Sequence, residues 1–271
     1  MTSNRPDWLQ VHQGNAPLLI SLPHTGTILP PEIDDGRLVS SPRALRDTDW
    51  YIDKLYEFAR AMGITSVRST ISRTVIDLNR DPSGVSLYPG QATTGLCPTE
   101  TFDGEQLYCE GRAPDEAEIA DRRERWFMPY HQALEAEIAR LRLMHRKIVV
   151  YDCHSIRSIV PRLFAGVLPH FNIGTNDGQA CSPELQEIVA RACKHKPYSS
   201  VTNGRFKGGW ITRHYGAPFL GVEAVQMELA CRGYMRETAS DEPEPYDPEF
   251  AEPMIGILKS LFEAIIQYCQ T

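Results

Sequence analysis

Two histidines come directly after apolar runs that predict β-strands. His24 follows residues 17–22, and His154 follows residues 147–152 after one intervening cysteine. In open α/β sheets, ligands bind just beyond the carboxyl ends of the strands. Neutral imidazole is the commonest metal ligand among protein side chains. The two histidines therefore predict a metal site that both of them share.

A carboxylate lies near the end of a third predicted strand, residues 219–229. Side chains alternate along a strand, so Glu228 shares a face with Gln226, whereas Glu223 points to the other face. A carboxylate buried in a strand is costly unless it is paired or lies close to a metal. This cost indicates a functional position for Glu228.

An acidic metal ligand can come from the segment Arg46-Asp47-Thr48-Asp49. Asp47 is a good N-cap for a predicted helix over residues 48–62. This interpretation leaves Asp49 free to turn inward. We therefore expect Asp49, ahead of Asp47, to complete the ligand set.

Four arginines lie in or near these segments: Arg73, Arg80, Arg157 and Arg213. Guanidinium groups pair with carboxylates in a bidentate manner. Together the four arginines predict a ligand with more than one carboxylate. The structural alternative is that some of them pair with Asp77 or Asp81.

Apolar periodicity predicts an α/β fold with a mainly parallel or mixed central sheet flanked by helices. The predicted strands are residues 17–22, 64–71, 147–152, 163–168 and 219–229. The predicted helices are residues 48–62, 114–145, 182–195 and 249–269, and Pro129 should kink or break the second. Residues 73–112 are rich in turn-forming residues, which is typical of a functional loop. No linker divides the chain, so we expect a single domain over residues 1–271.

The composition excludes several classes of protein. The chain has 271 residues, of which 42% are hydrophobic and 23% are charged, as in an ordinary globular protein. Its net charge of −7 argues against nucleic acid and anionic membrane surfaces as partners. Residues 1–13 lack the apolar core of a signal peptide, and the seven cysteines form no CxxC pair. We expect a cytoplasmic protein that acts on a small anionic molecule.

Several catalytic and nucleotide-binding motifs are absent from the sequence. There is no GxSxG elbow, no GxxxxGK[ST] phosphate loop and no GxGxxG fingerprint. The HExxH motif is also absent. A zinc site must therefore be assembled from distant segments.

Six segments resemble the N-formylglutamate deformylases, also called N-formylglutamate amidohydrolases. Each segment is weakly specific alone, but they occur in the family's order and cover nearly the whole chain. They are residues 21–26 (SLPHTG), 46–50 (RDTDW), 72–81 (SRTVIDLNRD), 151–155 (YDCHS), 203–209 (NGRFKGG) and 226–229 (QMEL).

The resemblance implies a zinc-dependent hydrolase with a metallocarboxypeptidase-like (zinc exopeptidase-like) architecture. The implied reaction converts N-formyl-L-glutamate and water to formate and L-glutamate, as the last step of a histidine degradation route. The HxxE ligand pair of the carboxypeptidases is absent, because Thr27 stands three positions after His24. The acidic ligand must therefore come from elsewhere.

Under this resemblance each candidate residue has an expected role. One Zn²⁺ per chain, or another divalent ion, is held by His24, Asp49 and His154, with a position left for water. Glu228 is the general base that accepts the water proton and passes it to the leaving amine. Arg157 lies near the oxyanion or the α-carboxylate. The remaining substrate-binding residues are Arg73, Asn79, Arg80, Arg213 and Gln226.

Two other functions stay open on the sequence alone. One is a related zinc amidohydrolase that removes another acyl or formimino group from an acidic amino acid. The other is a non-catalytic protein that binds a dicarboxylate through the same arginines. Glu228 argues against the second, because an anion-binding site gains nothing from a carboxylate that faces the ligand. The sequence does not fix the oligomeric state.

Overall fold

A seven-stranded mixed β-sheet forms the centre of the protein. The computed structural model describes residues 6–87 and 90–271. The strands are β1 (Leu9–His12), β2 (Leu18–Leu22), β3 (Thr65–Ser69), β4 (Ile148–Ile156), β5 (Phe171–Gly174), β6 (Ser200–Thr202) and β7 (Val222–Ala230). Their order across the sheet is β1-β3-β2-β4-β7-β5-β6. The central strands β3, β2, β4 and β7 run parallel, whereas β1 and β5 pair antiparallel with β3 and β7.

Helices cover both faces of the sheet. They are α1 (Ser41–Leu45), α2 (Ile52–Leu55), α3 (Glu116–Arg122), α4 (Met128–Arg142), α5 (Pro183–Ala192), α6 (Trp210–Tyr215) and α7 (Pro248–Gln270). Side chains of α4 and α6 pack on one face, and those of α2, α5 and α7 pack on the other. Because both faces are covered, β2, β4 and β7 are buried along their whole length and are mostly apolar in sequence. The predicted α/β class is confirmed.

The strand predicted at 147–152 is longer than expected. It extends to Ile156, so His154 lies inside β4 rather than after it. Asp152, His154 and Ser155 are thus buried polar residues near the end of this strand. Within the described residues, no helix is long and apolar enough to cross a membrane.

The helix predicted over residues 48–62 is wrong. The structure has only the four-residue α2 followed by a 3₁₀ turn at Glu57–Arg60. Tyr51 has a left-handed backbone with φ of 62°, which stops a helix from passing through it. The Asp49 N–H donates to the His24 carbonyl at 3.0 Å instead of to a helical turn. Asp47 accordingly is not an N-cap.

The strand predicted over residues 163–168 is also wrong. These residues form turns and irregular backbone, and Gly166 has φ of 71°. Leu163, Phe164 and Leu168 pack in a small cluster with Phe102, Val160 and the strand-end residues Ile156 and Ala230. The sheet strand in this part of the chain is β5.

The helix predicted over residues 114–145 is interrupted as expected, but it is not broken. Arg123–Phe127 forms a π-helical turn between α3 and α4. Pro129 has no N–H and its ring excludes a normal helical turn before it. The Met128 N–H bonds to the Arg123 carbonyl five residues back, so the wider turn accommodates the proline.

Hydrogen bonds from these helices fix the start of the 73–112 loop. Arg122 Nη1 donates to the Val75 carbonyl at 2.9 Å, and His131 Nε2 lies 2.9 Å from the Leu78 carbonyl. Residues 88 and 89 of the loop lie outside the described part of the chain. The first eight residues of the loop are therefore held against the sheet, next to the carboxyl ends of its strands.

Candidate metal centre and active site

A cavity opens at the carboxyl edge of β2, β4 and β7. It encloses about 580 Å³ of empty space, part of which is continuous with solvent. Its polar and charged lining consists of His24, Arg73, Asp77, Asn79, Arg80, Thr93, Thr94, His154, Arg205, Gln226 and Glu228.

The register between β4 and β7 sets the floor of this cavity. Asp152 is paired with Gln226, and His154 is paired with Glu228, at the same levels of the two parallel strands. Because side chains alternate, all four lie on one face of the sheet. Glu223 is on the opposite face, where it accepts hydrogen bonds from Ser182 and Tyr268.

Three buried side chains converge at one end of the cavity. His24, Asp49 and His154 each offer a ligand atom, and these atoms all lie within 4.8 Å of one another. Asp49 Oδ2 lies 3.1 Å from His154 Nδ1 and 3.8 Å from His24 Nδ1. Asp47 is not in this group. Of the two carboxylates considered from the sequence, Asp49 is the one that the structure places with the histidines.

Each histidine is held from behind by a second carboxylate. His24 Nε2 lies 2.7 Å from Asp77 Oδ1, and His154 Nε2 lies 2.8 Å from Asp152 Oδ2. A carboxylate on the far ring nitrogen orients an imidazole and raises its basicity, as in many metal sites. Sequence reasoning gave neither aspartate this role. For Asp152 the signal was available, since it lies two residues before His154 and thus on the same face of β4.

The donor set fits a divalent metal ion. In the described part of the chain, His24 Nδ1 and Asp49 Oδ1 are buried and have no hydrogen-bond partner. Buried polar atoms are rarely left in this state unless something else satisfies them. Two imidazole nitrogens and a carboxylate oxygen are ligands that zinc accepts at catalytic sites.

Electrostatics at this cluster favour a bound cation. Burial and the nearby Arg73 lower the pKa of His24, although Asp77 opposes them. Burial alone would also lower the pKa of His154, but Asp152 and Asp49 outweigh it and raise that pKa well above its usual value. Without a metal, a proton on His154 therefore offsets part of the negative charge of the carboxylates.

Glu228 lies beside this cluster and is 7% exposed. Gln226 orients it, because Gln226 Nε2 donates to Glu228 Oε2 at 3.3 Å while Gln226 Oε1 accepts from the Gly209 N–H at 2.7 Å. Burial, assisted by Asp49 and Asp152, raises the pKa of Glu228 to about 8, against the opposing charges of His154 and Arg73. A cation bound nearby would favour its ionised form.

Asn79 connects the loop to the floor of the cavity. Its Nδ2 donates to Asp152 Oδ2 at 2.8 Å, and its Oδ1 accepts from the Ile211 N–H at the start of α6. A Cβ atom on residue 209 would come within 2.4 Å of the Asn79 amide, so Gly209 permits this close approach. Asn79 was predicted to bind substrate, but these contacts already occupy both ends of its amide.

Arg73 and Arg80 line the cavity and pair with the same carboxylate. Arg73 Nη2 lies 2.8 Å and Arg80 Nε lies 3.2 Å from Asp77 Oδ2. Arg73 Nη1 also lies 3.7 Å from Asp49 Oδ1. The pairing with Asp77 considered from the sequence is thus present, and it coexists with a position on the cavity wall.

The other two predicted arginines do not line this cavity. Arg157 follows the last residue of β4, pairs with Asp47 and Asp103 and lines a neighbouring cavity. Arg213 Nε donates to the Gly208 carbonyl. Sequence reasoning missed Arg205, which lines the cavity and donates to the carbonyls of Leu163 and Ala92.

The site combines a buried cluster of metal-ligand side chains with a buried glutamate, at the edge of an α/β sheet. This arrangement is expected of a metal-dependent hydrolase. A sequence model of the N-formylglutamate amidohydrolase family matches residues 16–235. The chain belongs to this family.

Individual relatives agree with this assignment. The chain is 48% identical to the N-formylglutamate deformylase of Pseudomonas putida and 46% identical to that of Pseudomonas aeruginosa, each over 96% of both chains. The crystal structure of N-formylglutamate amidohydrolase from Ralstonia eutropha JMP134 is similar, with a TM-score of 0.80 and 26% identity, over 97% of this chain and 98% of that chain.

Proposed function

We propose that this protein hydrolyses N-formyl-L-glutamate. Water adds to the formyl carbon, the C–N bond breaks, and the water proton ends on the amine of the released L-glutamate, with formate as the second product. The observation that carries the proposal is the pairing of buried Glu228 with His154, one member of the histidine–aspartate cluster, in a chain of this family.

His24, Asp49 and His154 would hold the metal, and Zn²⁺ is the ion that we propose. When bound, it would activate water near neutral pH and polarise the formyl oxygen. Asp77 and Asp152 would keep the two imidazoles oriented, with their Nδ1 atoms directed at the ion.

Glu228 is proposed to be the general base and then the general acid. It accepts a proton from the attacking water and delivers it to the nitrogen of the leaving amine, a role worth typically 10²–10⁴-fold in rate. Gln226, which was predicted to bind substrate, is proposed instead to hold Glu228 in position through its amide hydrogen bond.

The arginines of the cavity are proposed to bind the two carboxylates of the substrate. Arg73 lies next to Asp49 at the metal end and suits the α-carboxylate. Arg80 and Arg205 are less buried than Arg73, and they contact Thr94 and Ala92 respectively. They suit the side-chain carboxylate. Arg157 and Arg213 have no substrate contact in this scheme.

The test is metal analysis together with turnover on the same preparation. We expect one zinc per chain and a much higher kcat/KM for N-formylglutamate than for N-acetylglutamate or N-formiminoglutamate. Preference for either of the other two would assign the protein to a related amidohydrolase. Binding of glutamate without turnover in zinc-loaded protein would leave only the dicarboxylate-binding alternative.

We also place the reaction at the end of histidine degradation, on the strength of the family resemblance.

A further inference from the structure

The turn at residues 101–104 is held by a closed ring of polar contacts. The Phe102 N–H donates to Asp47 Oδ2 at 2.6 Å. Asp103 Oδ2 pairs with Arg157 Nη2 at 2.9 Å, and the same Nη2 lies 3.3 Å from Asp47 Oδ1. The Gly104 N–H closes the turn onto the Thr101 carbonyl at 2.9 Å.

This turn places Phe102 against an arginine of the candidate active site. The Arg73 guanidinium carbon lies 4.7 Å from the centre of the Phe102 ring. A cation on an aromatic face is favourable, and more so where water is excluded. Nη2 of the same guanidinium pairs with Asp77 Oδ2 at 2.8 Å. Arg73 is therefore held by both a carboxylate and an aromatic ring.

Asp47 and Arg157 themselves lie outside the cavity that contains Arg73. They line a second cavity, together with Arg46, Trp50 and other residues. Phe102 and Ile156 line both cavities and so lie between them, and of these two Phe102 contacts Arg73. An effect of Asp47 or Arg157 on the active site can therefore pass through the Phe102 ring.

We propose that Asp47 and Arg157 are a positioning pair for substrate binding. They hold the 101–104 turn so that Phe102 keeps the Arg73 guanidinium aimed at the α-carboxylate of the substrate. The inference rests on the proposed function, because it is that function which gives Arg73 a carboxylate to bind. It also gives a role to Asp47 that does not involve the metal.

The test compares Asp47→Ala, Asp47→Asn, Arg157→Met and Arg157→Lys with a control, Arg125→Met. Arg125 forms exposed ion pairs with Glu32 and Asp121. In Asp47→Ala and Arg157→Met we expect KM for N-formylglutamate to rise about tenfold or more, with kcat within about threefold of wild type and zinc content unchanged. Asp47→Asn should show a smaller rise, because its amide oxygen can still accept the Phe102 N–H. Arg157→Lys should recover part of the loss.

Hydrogen–deuterium exchange gives a measurement that needs no substrate. Peptides covering residues 99–106 should exchange faster in Asp47→Ala than in wild type, while peptides from β4 and β7 stay unchanged. Unchanged KM in both Asp47→Ala and Arg157→Met would overturn the proposal, and so would a joint loss of zinc, kcat and thermal stability. Failure of the proposed function would appear in wild type as an absence of turnover, whereas failure of the positioning pair would appear only in the variants.

Discussion

His154 and Glu228 are direct neighbours across the β4–β7 pair, at the same level and on the same face of the sheet. The strand register alone thus sets a proposed metal ligand beside a proposed base. Neither side chain depends on a mobile loop for its place. A change in one should affect the chemistry of the other without altering the fold.

Glu228→Gln tests the proposed base. Glutamine keeps the shape and can still contact Gln226, but it cannot accept a proton. Zinc content and KM should stay near wild type, while kcat falls by at least about 10²-fold. Metal analysis and steady-state kinetics on one preparation provide the measurement. Loss of zinc would make Glu228 a ligand, and normal turnover would leave the reaction without its base.

The ligand set is tested by four alanine variants. His24→Ala, His154→Ala and Asp49→Ala should each lose bound zinc and activity but remain folded, because two large apolar clusters hold the sheet without a metal. Asp47→Ala is the matched control, two residues from Asp49, and should keep its zinc. Elemental analysis measures the bound zinc, and circular dichroism shows whether each variant is folded. Full zinc occupancy in any of the first three would remove that residue from the set.

Zinc affinity should increase with pH. The pKa of His154 lies well above its usual value and that of Glu228 is raised to about 8, so both groups carry protons near pH 7 in the metal-free protein. Metal binding needs a neutral His154 and favours an ionised Glu228, so it releases protons. We expect the logarithm of Kd to fall by about one to two for each pH unit between about pH 6 and pH 8.

Competition with a coloured chelator across this pH range measures the slope. In Glu228→Gln the slope should decrease by about one, because one of the two released protons is missing. A slope that is equally steep in wild type and variant would show that Glu228 does not take part.

Arg205 should determine selection for the acidic side chain. In Arg205→Met the side-chain carboxylate of the substrate loses its cationic partner, so kcat/KM for N-formylglutamate should fall by about 10²-fold, while the much lower value for N-formylmethionine, which lacks that carboxylate, should change little. Arg213→Met is the control, since Arg213 does not line the cavity. An equal loss on both substrates would assign Arg205 a purely structural role, and a large loss in the control would restore Arg213 as a binding residue.

His131 should make the fold less stable in acid. Its ring packs against that of Phe127 and lies within hydrogen-bond distance of both Tyr215 and the Leu78 carbonyl, and burial lowers its pKa to about 3. Below about pH 6.5, His131 is protonated in the unfolded chain but stays neutral in the folded chain. The free energy of unfolding therefore falls as pH falls, by about 1.4 kcal/mol per pH unit.

Urea unfolding of chelator-treated protein checks this prediction. Between about pH 7.5 and pH 5, wild type should lose about 2 kcal/mol more stability than His131→Gln, whose side chain does not titrate. His195→Gln, at an exposed position, should follow wild type. Parallel curves for wild type and His131→Gln would contradict the assigned cause.

Strand periodicity predicted the class of fold and the shared face of Gln226 and Glu228. It failed where tertiary contacts override local pattern. Residues 48–62 have helical spacing, yet Asp47 and Asp49 bond to distant segments and the backbone cannot close regular turns there. Short edge strands such as β1 and β6 have too few residues to show a period.

The composition of the site was harder to predict than its location. The closeness of Arg157 to His154 in sequence predicts a place at the site, but in the structure Arg157 pairs with Asp47 and Asp103 after the end of β4. Arg205 belongs to a segment that resembles the family, residues 203–209, and nothing in its local sequence pattern distinguishes it from Arg213. Which arginine reaches a cavity depends on loop paths, and sequence spacing does not specify those paths.

The π-helical turn has a consequence for the helix that contains it. Arg122 and His131 are nine positions apart, and in a regular α-helix with about 100° per residue they would point in nearly opposite directions. The extra residue of the π-helical turn reduces the angle between the two side chains, measured about the helix axis, by about 100°. Both side chains can then reach one loop, at the Val75 and Leu78 carbonyls. A one-residue change in helical phase, remote from any substrate, thus sets where Asp77 and Asn79 meet the two histidines.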